Sequence, residues 1–441
     1  MKCLIIAAGR GSRLSKRGDS KPLVSLLGLP LIEHVILTAS KSGLDDFYVV
    51  TGYNGEKVRQ CLTKFSQVRN IKINHINNEE WEKENGLSVL KAKDFLDGNF
   101  ILLMGDHIFD EEILKRLKGE RLQNGEVILA VDYNTTSNSL VDINDVTKVL
   151  VENGKVKDIG KNLTRYNAYD TGMFLCSPAI FTAIETSIAR NNDSALSGAI
   201  RIMSEDERIR TFDVGNGFWI DVDDEETLHK AERALIDRLK KPSDGPVSRY
   251  LNRPLSFIIS KYFVKTDITP NQISFFSFVL SLIASAFFLL GNYMALATGG
   301  IIVQIASIID GCDGEVARLK HQESDFGGWF DAVLDRYADA FILLGLTCYT
   351  LVTGYDFLSL FIGFMAIIGS FMNSYTADKY DGLMKKLLGE EKNYFRMGRD
   401  VRMFIVFIGA IVNQAFLTLL FLALLMNIEN IRRVIVCYKS E

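Results

Sequence analysis

The chain has 441 residues, too many for one ordinary hydrophobic core, so two or more domains are expected. Its 50 basic and 54 acidic side chains leave a formal net charge of -4, which argues against a nucleic-acid binder and against an acidic tail. Six scattered cysteines (Cys3, Cys61, Cys176, Cys312, Cys348 and Cys437) form no CxxC pair, which argues against a disulfide or zinc framework.

Up to about Lys241, apolar and charged segments alternate as in a soluble protein; from Ile273 onward long apolar runs dominate. The opening MKCLIIAAGRG reads as a β-strand and not a signal peptide, because glycines and arginines stand where a cleavage site would be. Further strands are expected at DFYVVTGY, IKINHIN, FILLMGD, EVILAVDY and TGMFLCS, with helices between several of them, such as PLIEHVILTASKSG and EKVRQCLTKF. That alternation predicts an α/β, Rossmann-like domain over 1–241 with a mostly parallel sheet covered on both faces. Ligands of such sheets sit beyond the carboxyl ends of the strands.

AAGRGSRL lies at such an end, with KPL soon after. Gly9 and Gly11 let the backbone approach a phosphate, and Arg13 and Lys21 add cations where a triphosphate would lie. The spacing fits neither GxGxxG nor a Walker loop. Asp106 ends the strand FILLMGD, and Asp221 and Asp223 stand in FWIDVDDEETLHKAE before a closing helix. Helix capping would account for each of these carboxylates singly, and Lys161 in IGKNL alone reads as a solvated surface residue.

Together, GxGxRL and KPL resemble the nucleotidyltransferases that join a nucleoside triphosphate to a sugar- or alcohol-phosphate, a resemblance running from Met1 to about Lys240. It implies that ENGLS, with Ser88, contacts base and ribose, and that Lys161 contacts the acceptor phosphate. It also implies one Mg²⁺ on Asp106 with one or both of Asp221 and Asp223. Arg13 and Lys21 would stabilise charge as the acceptor phosphate attacks the α-phosphorus and pyrophosphate leaves.

Residues 242–271 read as a joint. Pro, Ser, Asp and Gly at 242–245 mark a linker. VSRYLNRPLSFIISKYFVK then mixes apolar residues with Arg249, Arg253, Lys261 and Lys265, predicting an amphipathic basic helix at a membrane surface. An ordinary interdomain helix is the competing reading. Residues 272–441 predict an all-α polytopic membrane domain of six spans, at roughly 272–291, 294–317, 326–352, 356–377, 399–413 and 414–431. Arg318, Lys320 and His321 follow the second segment; Lys379, Lys385, Lys386, Lys392, Arg396, Arg399 and Arg402 follow the fourth; Arg432, Arg433 and Lys439 close the chain. The opposite connections LLGNYM, TGYDF and IVNQ carry no Lys or Arg, so the positive-inside rule places the soluble domain and the C-terminus in the cytoplasm.

IIDGCDGEVARLKHQESDFGGWFDAVLDRYADA sets Asp310 and Asp313 on one helical face and Asp331 and Asp335 on one face of the next helix. Carboxylates beside a bilayer are costly unless paired, hydrated or bound to a cation. A helical hairpin bringing both pairs together at the cytoplasmic boundary would suit two Mg²⁺ ions. The pattern Asp310-x2-Asp313-Gly314-x2-Ala317-Arg318-x8-Gly327-x3-Asp331-x3-Asp335 resembles the CDP-alcohol phosphotransferase signature at every fixed position, and the likeness extends from about Arg249 to the C-terminus. It implies a six-helix fold that is usually dimeric, hence a homodimer through the membrane domain. Asp310, Asp313, Asp331 and Asp335 would hold the metals. Asp335 would also act as general base on an acceptor hydroxyl attacking the β-phosphorus, with CMP leaving. Gly314 and Arg318 would border the nucleotide. Lys379, Arg399 and Arg402 stand where relatives that use inositol phosphate hold the acceptor phosphate, although each also fits a positive-inside anchor.

The fusion of the two halves resembles the bifunctional inositol-1-phosphate cytidylyltransferase / di-inositol-phosphate-phosphate synthases. That resemblance implies CTP plus inositol 1-phosphate giving CDP-inositol, then transfer of phosphoinositol to a second inositol 1-phosphate. The alternative is a phospholipid-making transferase with a membrane lipid as donor or acceptor and a regulatory or inactive N-terminal half.

Overall fold

In a computed structural model, described for residues 1–440 apart from Asn124, Ser137, 241–243, 355–356 and 389–397, the apolar run Lys2–Ala7 forms the first strand, β1. The side chains of Cys3, Leu4, Ile5, Ile6 and Ala7 are all buried, as expected of a strand covered on both faces. Two units are distinguished, Met1–Leu235 and Ile236–Glu441.

In the first unit β1 is followed by β2 (Ser25–Leu26), β3 (Leu29–Pro30), α1 (Leu31–Lys41), β4 (Asp46–Thr51), α2 (Gly55–Arg69), β5 (Lys72–Asn77) and α3 (Asn85–Leu90). Next come β6 (Phe100–Met104), β7 (His107–Phe109), α4 (Glu111–Lys118), β8 (Val127–Asp132), β9 (Lys148–Glu152), β10 (Lys155–Gly160) and β11 (Ala168–Cys176). The unit closes with α5 (Ala179–Asn191), α6 (Leu196–Glu205), β12 (Ile209–Asp213), β13 (Trp219–Asp221) and α7 (Glu225–Asp237).

Nine strands form one sheet in the order β5-β4-β1-β6-β11-β8-β12-β10-β9. Alternate β1 residues serve opposite cores: Leu4 and Ile6 pack with Phe174, Ile184 and Ile200, whereas Cys3, Ile5 and Ala7 pack with Val35, Ile36 and Leu62. The strands β5, β4, β1 and β6 run parallel. β12 also runs parallel to β8, but the remaining pairs depart from the expected mostly parallel sheet. β11 is antiparallel to β6 and β8, and β9–β10 is an antiparallel hairpin. The hairpin turns on Asn153 and Gly154, both at positive φ (51° and 75°), the backbone that a tight two-residue turn requires.

The second unit holds α8 (Arg253–Phe263), α9 (Pro270–Phe288), α10 (Tyr293–Leu319), α11 (Asp325–Val352), α12 (Phe357–Leu388), α13 (Arg399–Ile411) and α14 (Ala415–Ser440). Side chains specify several starts. Thr269 and Gln272 form a reciprocal capping box with Pro270 at the first turn of α9, Asn292 caps α10, and Ser324 caps α11 by accepting from Gly327 N at 3.0 Å. Small residues permit close helix contact: a Cβ on Gly345 of α11 would lie 2.8 Å from the Ser285 carbonyl oxygen of α9. Among the described residues, Pro270–Phe288, Tyr293–Leu319 and Phe357–Ala377 are long and apolar enough to cross a membrane. The apolar run of α11 is interrupted by Asp331, Asp335, Arg336 and Asp339, although the helix itself is continuous, and α13 has 13 residues.

In the joint Arg249, Lys261 and Lys265 are exposed, whereas Arg253 turns inward. Arg253 of α8 is half-buried between Asp244 at 2.9 Å and Glu315 of α10 at 2.7 Å, and Ser256 and Ser260 also donate to Glu315. The basic positions Lys392 and Arg396 and linker residues 242–243 lie outside the described residues, as do the side chains of Lys385, Lys386 and Lys439.

Candidate active sites

In the first unit a cavity of about 550 Å³ opens beyond the ends of β6 and β11 and is lined by Arg13, Asp106, His107, Asp145, Lys161 and Asp221 among others. Asp106 follows β6 directly. Antiparallel pairing of β13 with β7 sets Asp221 opposite His107, so strand register, and not chance proximity, brings these groups together. Lys21 donates to Asp106 at 2.6 Å and also to Asp223, with Asp221 at 3.8 Å. Gly11, at φ +63°, leaves the space that Lys21 occupies; a Cβ there would collide with the lysine side chain. Gly9 is exposed and has open space around it.

Asp145, a carboxylate that sequence reasoning missed, links two expected cations, with Arg13 at 2.7 Å and Lys161 at 2.6 Å. Arg13 also lies 3.0 Å from Asp223. Ser88 points elsewhere: it is buried and accepts from Asn78 Nδ2 at 3.0 Å, while Glu84 and Asn85 of the same segment line the cavity. His107, also missed, holds Nδ1 2.8 Å from Asp106 Oδ1 and 3.6 Å from Asp221 Oδ1.

Burial opposes charge on Lys21, but Asp106, Asp221 and Asp223 outweigh it and raise the ammonium above its ordinary range. Burial would likewise raise Asp106, yet Lys21 and His107 hold it far below the usual carboxylate range. For His107, burial is outweighed by Asp221 and Asp106, which push it up to about 9. Burial pushes Asp221 up to about 6. Among the described residues the buried Asp221 Oδ1 atom has no hydrogen-bond partner, and ligand atoms of Asp106, His107 and Asp221 lie within 4.8 Å of one another. An orphaned carboxylate oxygen in such a cluster fits a divalent cation.

In the second unit, α10 and α11 supply the acidic cluster. Asp310, Asp331 and Asp335 each offer an oxygen within 4.8 Å of the others, an all-oxygen donor set that suits a hard divalent cation. Serines of α9 orient the α10 pair: Ser277 donates to Asp310 at 3.1 Å and Ser274 to Asp313 at 2.5 Å. Gly314 lies under Arg318, since a Cβ there would be 3.4 Å from Arg318 Nη1. Among the described residues Arg318 Nε and Nη2 have no hydrogen-bond partner, so the guanidinium keeps donors for an anion.

Arg399 of α13 lies among the carboxylates, with Nη1 2.7 Å from Asp310 and 2.8 Å from Asp335. Arg402 is buried and bonds Asp339 at 2.8 Å, whereas Lys379 is exposed on α12. Asp339 was not anticipated from the sequence, although it continues the four-residue spacing of Asp331 and Asp335.

Residues 3–191 match the family described as the MobA-like NTP transferase domain, and residues 267–435 match CDP-alcohol phosphatidyltransferase. The chain is therefore an enzyme that joins a nucleotidyltransferase to a CDP-alcohol phosphotransferase. It is 34% identical over 439 residues to the bifunctional IPC transferase and DIPP synthase of Rubrobacter xylanophilus, covering 98% of this chain and 95% of that protein. The protein of the same name from Aquifex aeolicus is 33% identical over 445 residues, covering 99% and 98% respectively. Over 178 residues the chain is 33% identical to the archaetidylinositol phosphate synthase of Pyrococcus horikoshii, covering 40% of this chain and 87% of that one. The chain belongs to the bifunctional IPC transferase and DIPP synthase family.

Proposed function

We propose that the first unit transfers CMP from CTP to inositol 1-phosphate, giving CDP-inositol and pyrophosphate. The second unit then transfers phosphoinositol from CDP-inositol to a second inositol 1-phosphate, giving di-inositol phosphate phosphate and CMP. One observation carries this reading: a match over nearly the full length, at 34% and 33% identity, to two relatives named for both activities.

In the first reaction the Gly9–Gly11 turn, Arg13 and Lys21 bind the triphosphate, and Lys161 holds the acceptor phosphate for attack on the α-phosphorus. In the second, Asp335 takes the proton from the acceptor hydroxyl as its oxygen attacks the β-phosphorus and the bond to CMP breaks. Gly314 and Arg318 border the nucleotide, and Lys379, Arg399 and Arg402 attract the acceptor phosphate. Mg²⁺, one held by Asp106 with Asp221 or Asp223 and two by Asp310, Asp313, Asp331 and Asp335, would draw charge from the diphosphate oxygens.

The proposed arrangement has a cytoplasmic nucleotidyltransferase domain at 1–241, a joint at 242–271 and six spans within 272–441 that dimerise. The charge asymmetry of the connecting segments and the apolar lengths of α9, α10 and α12 support it. Purified protein given CTP, Mg²⁺ and inositol 1-phosphate should release both pyrophosphate and CMP; release of neither overturns the proposal. A second reading, a lipid donor or acceptor in the membrane half, is favoured by the likeness to archaetidylinositol phosphate synthase. CDP-diacylglycerol competing with CDP-inositol for CMP release would support it.

A further inference from the structure

The carboxylates of α11 continue one turn beyond the signature. Asp339 lies four residues after Asp335, on the same helical face, and is 3% exposed. It accepts three hydrogen bonds from two other helices: Arg399 Nε at 3.0 Å, Arg402 Nη2 at 2.8 Å and Ser370 Oγ at 2.9 Å. An Asp–Arg pair buried only to join helices gains little over apolar packing, because desolvation consumes most of the attraction. A single carboxylate gripping two arginines of α13 from behind has a more specific consequence.

Arg399 is held along its Nε edge by Asp339, which turns the far edge of the guanidinium toward the signature carboxylates. Its Nη1 reaches Asp310 and Asp335 at 2.7 and 2.8 Å, yet makes no hydrogen bond of good geometry there. Among the described residues Arg402 Nε likewise has no hydrogen-bond partner. Both guanidinium groups are thus anchored by Asp339, Arg399 with its far edge ion-paired to the signature carboxylates and Arg402 with its Nε still unpaired among the described residues. Bidentate recognition of a phosphate requires a planar fork held at a fixed orientation, and a freely rotating arginine loses that advantage.

We propose that Asp339 is a positioning residue for the acceptor: by clamping Arg399 and Arg402 it presents two cationic forks to the phosphate of a phosphorylated alcohol, with the acceptor hydroxyl beside Asp335. This rests on the transferase reading above and adds the element that selects a phosphorylated acceptor over an uncharged one. Asp339 touches neither donor nor acceptor and acts through the arginines.

The test is Asp339→Asn in the full chain, with CMP release from CDP-inositol measured as inositol 1-phosphate is varied. CTP-dependent pyrophosphate release in the same preparation is the control for the first unit. The expected result is an acceptor KM raised about tenfold or more, the cost of losing a charge-assisted contact, with donor KM unchanged, partial recovery in Asp339→Glu and unaltered pyrophosphate release. A fall in kcat with acceptor KM unchanged, or equal rises in both KM values, overturns the inference. If Asp339→Asn fails to fold, Ser370→Ala, which removes one bond orienting Asp339, should raise acceptor KM about threefold; no change there overturns it too. Failure of the underlying reading looks different: the unsubstituted chain would then release no CMP from CDP-inositol and inositol 1-phosphate.

Discussion

Lys21 reaches Asp106 at 2.6 Å from a position where only a tenth of its side chain meets solvent. Its ammonium therefore neutralises a carboxylate cluster that is otherwise mutually repulsive, as well as facing the nucleotide. Lys21→Met keeps the volume and removes the charge. It should lower pyrophosphate release by about a hundredfold or more, the scale seen when a preorganised charge-stabilising donor is lost. CMP release from supplied CDP-inositol should persist, because that chemistry belongs to the other unit. Loss of both activities together would contradict this separation.

Gly11→Ala tests the same lysine from the other side. The φ of +63° costs a residue with a Cβ about 1–2 kcal/mol, and the added methyl meets the stem of Lys21. The ammonium must then leave Asp106 and Asp223. The variant should resemble Lys21→Met in pyrophosphate release while remaining folded by circular dichroism. Near-normal turnover would show that the turn relaxes freely.

The architecture is unevenly legible in the sequence, for physical reasons. Apolar runs such as LIIAA and ILLM are long enough to name β1 and β6, and the strand-helix alternation correctly gives their parallel neighbours. The β9–β10 hairpin follows from a cue that alternation overlooks: Asn153-Gly154 between two alternating runs is a tight-hairpin signal. The spacing of Asp310, Asp313, Asp331 and Asp335 names helical faces directly. Asp145 has no such periodicity, because it lies in an irregular segment between β8 and β9, and only tertiary folding carries it to Arg13 and Lys161. Asp339 shares the spacing of the signature, but its role depends on α13, about sixty residues later, which spacing within one helix does not reveal.

Asp170 gives a pH signature outside the membrane helices. Burial pushes its carboxyl up to about 6, with Gly172 N and His107 acting in the opposite direction. For an acid with a raised folded value, the penalty is absent below the unfolded value near 3.8, grows between the two values and is complete above about 6. Asp170→Asn keeps an oxygen to accept from Gly172 N, now at 2.8 Å, and removes the charge. The variant should gain up to about 3 kcal/mol at pH 8, since a tenfold change in proton affinity corresponds to about 1.4 kcal/mol, with the gain shrinking toward pH 4. Thermal melts at both pH values check the slope, and a gain largest at low pH would contradict the sign.

Glu315 is fully buried and faces Arg253, Ser256 and Ser260 of the helix that precedes the first apolar segment. Glu315→Ala removes one of the two carboxylates paired with Arg253 and the acceptor that Ser256 and Ser260 share. Breaking one partner of a buried pair costs about 3–5 kcal/mol. The detergent-solubilised chain should melt at a clearly lower temperature, whereas replacing exposed Lys261 should have little effect. Equal effects at both positions would argue that α8 is held by its basic face instead of by this pair.

The position of Arg399 predicts competition with metal. Its Nη1 lies within 2.8 Å of both Asp310 and Asp335, so a fixed positive charge shares carboxylates that belong to the candidate cation cluster. Two cations drawing on the same oxygens weaken each other, and desolvation makes that coupling stronger than it would be in water. Arg399→Gln should therefore lower the Mg²⁺ concentration for half-maximal CMP release several-fold, on the order of 1 kcal/mol of removed repulsion, even as turnover falls through loss of an acceptor contact. Chelation should abolish CMP release in both forms, and titrating Mg²⁺ back would separate them. A variant that needs more Mg²⁺ than the unsubstituted chain would mean that Arg399 supports the carboxylate geometry more than its charge opposes the ion.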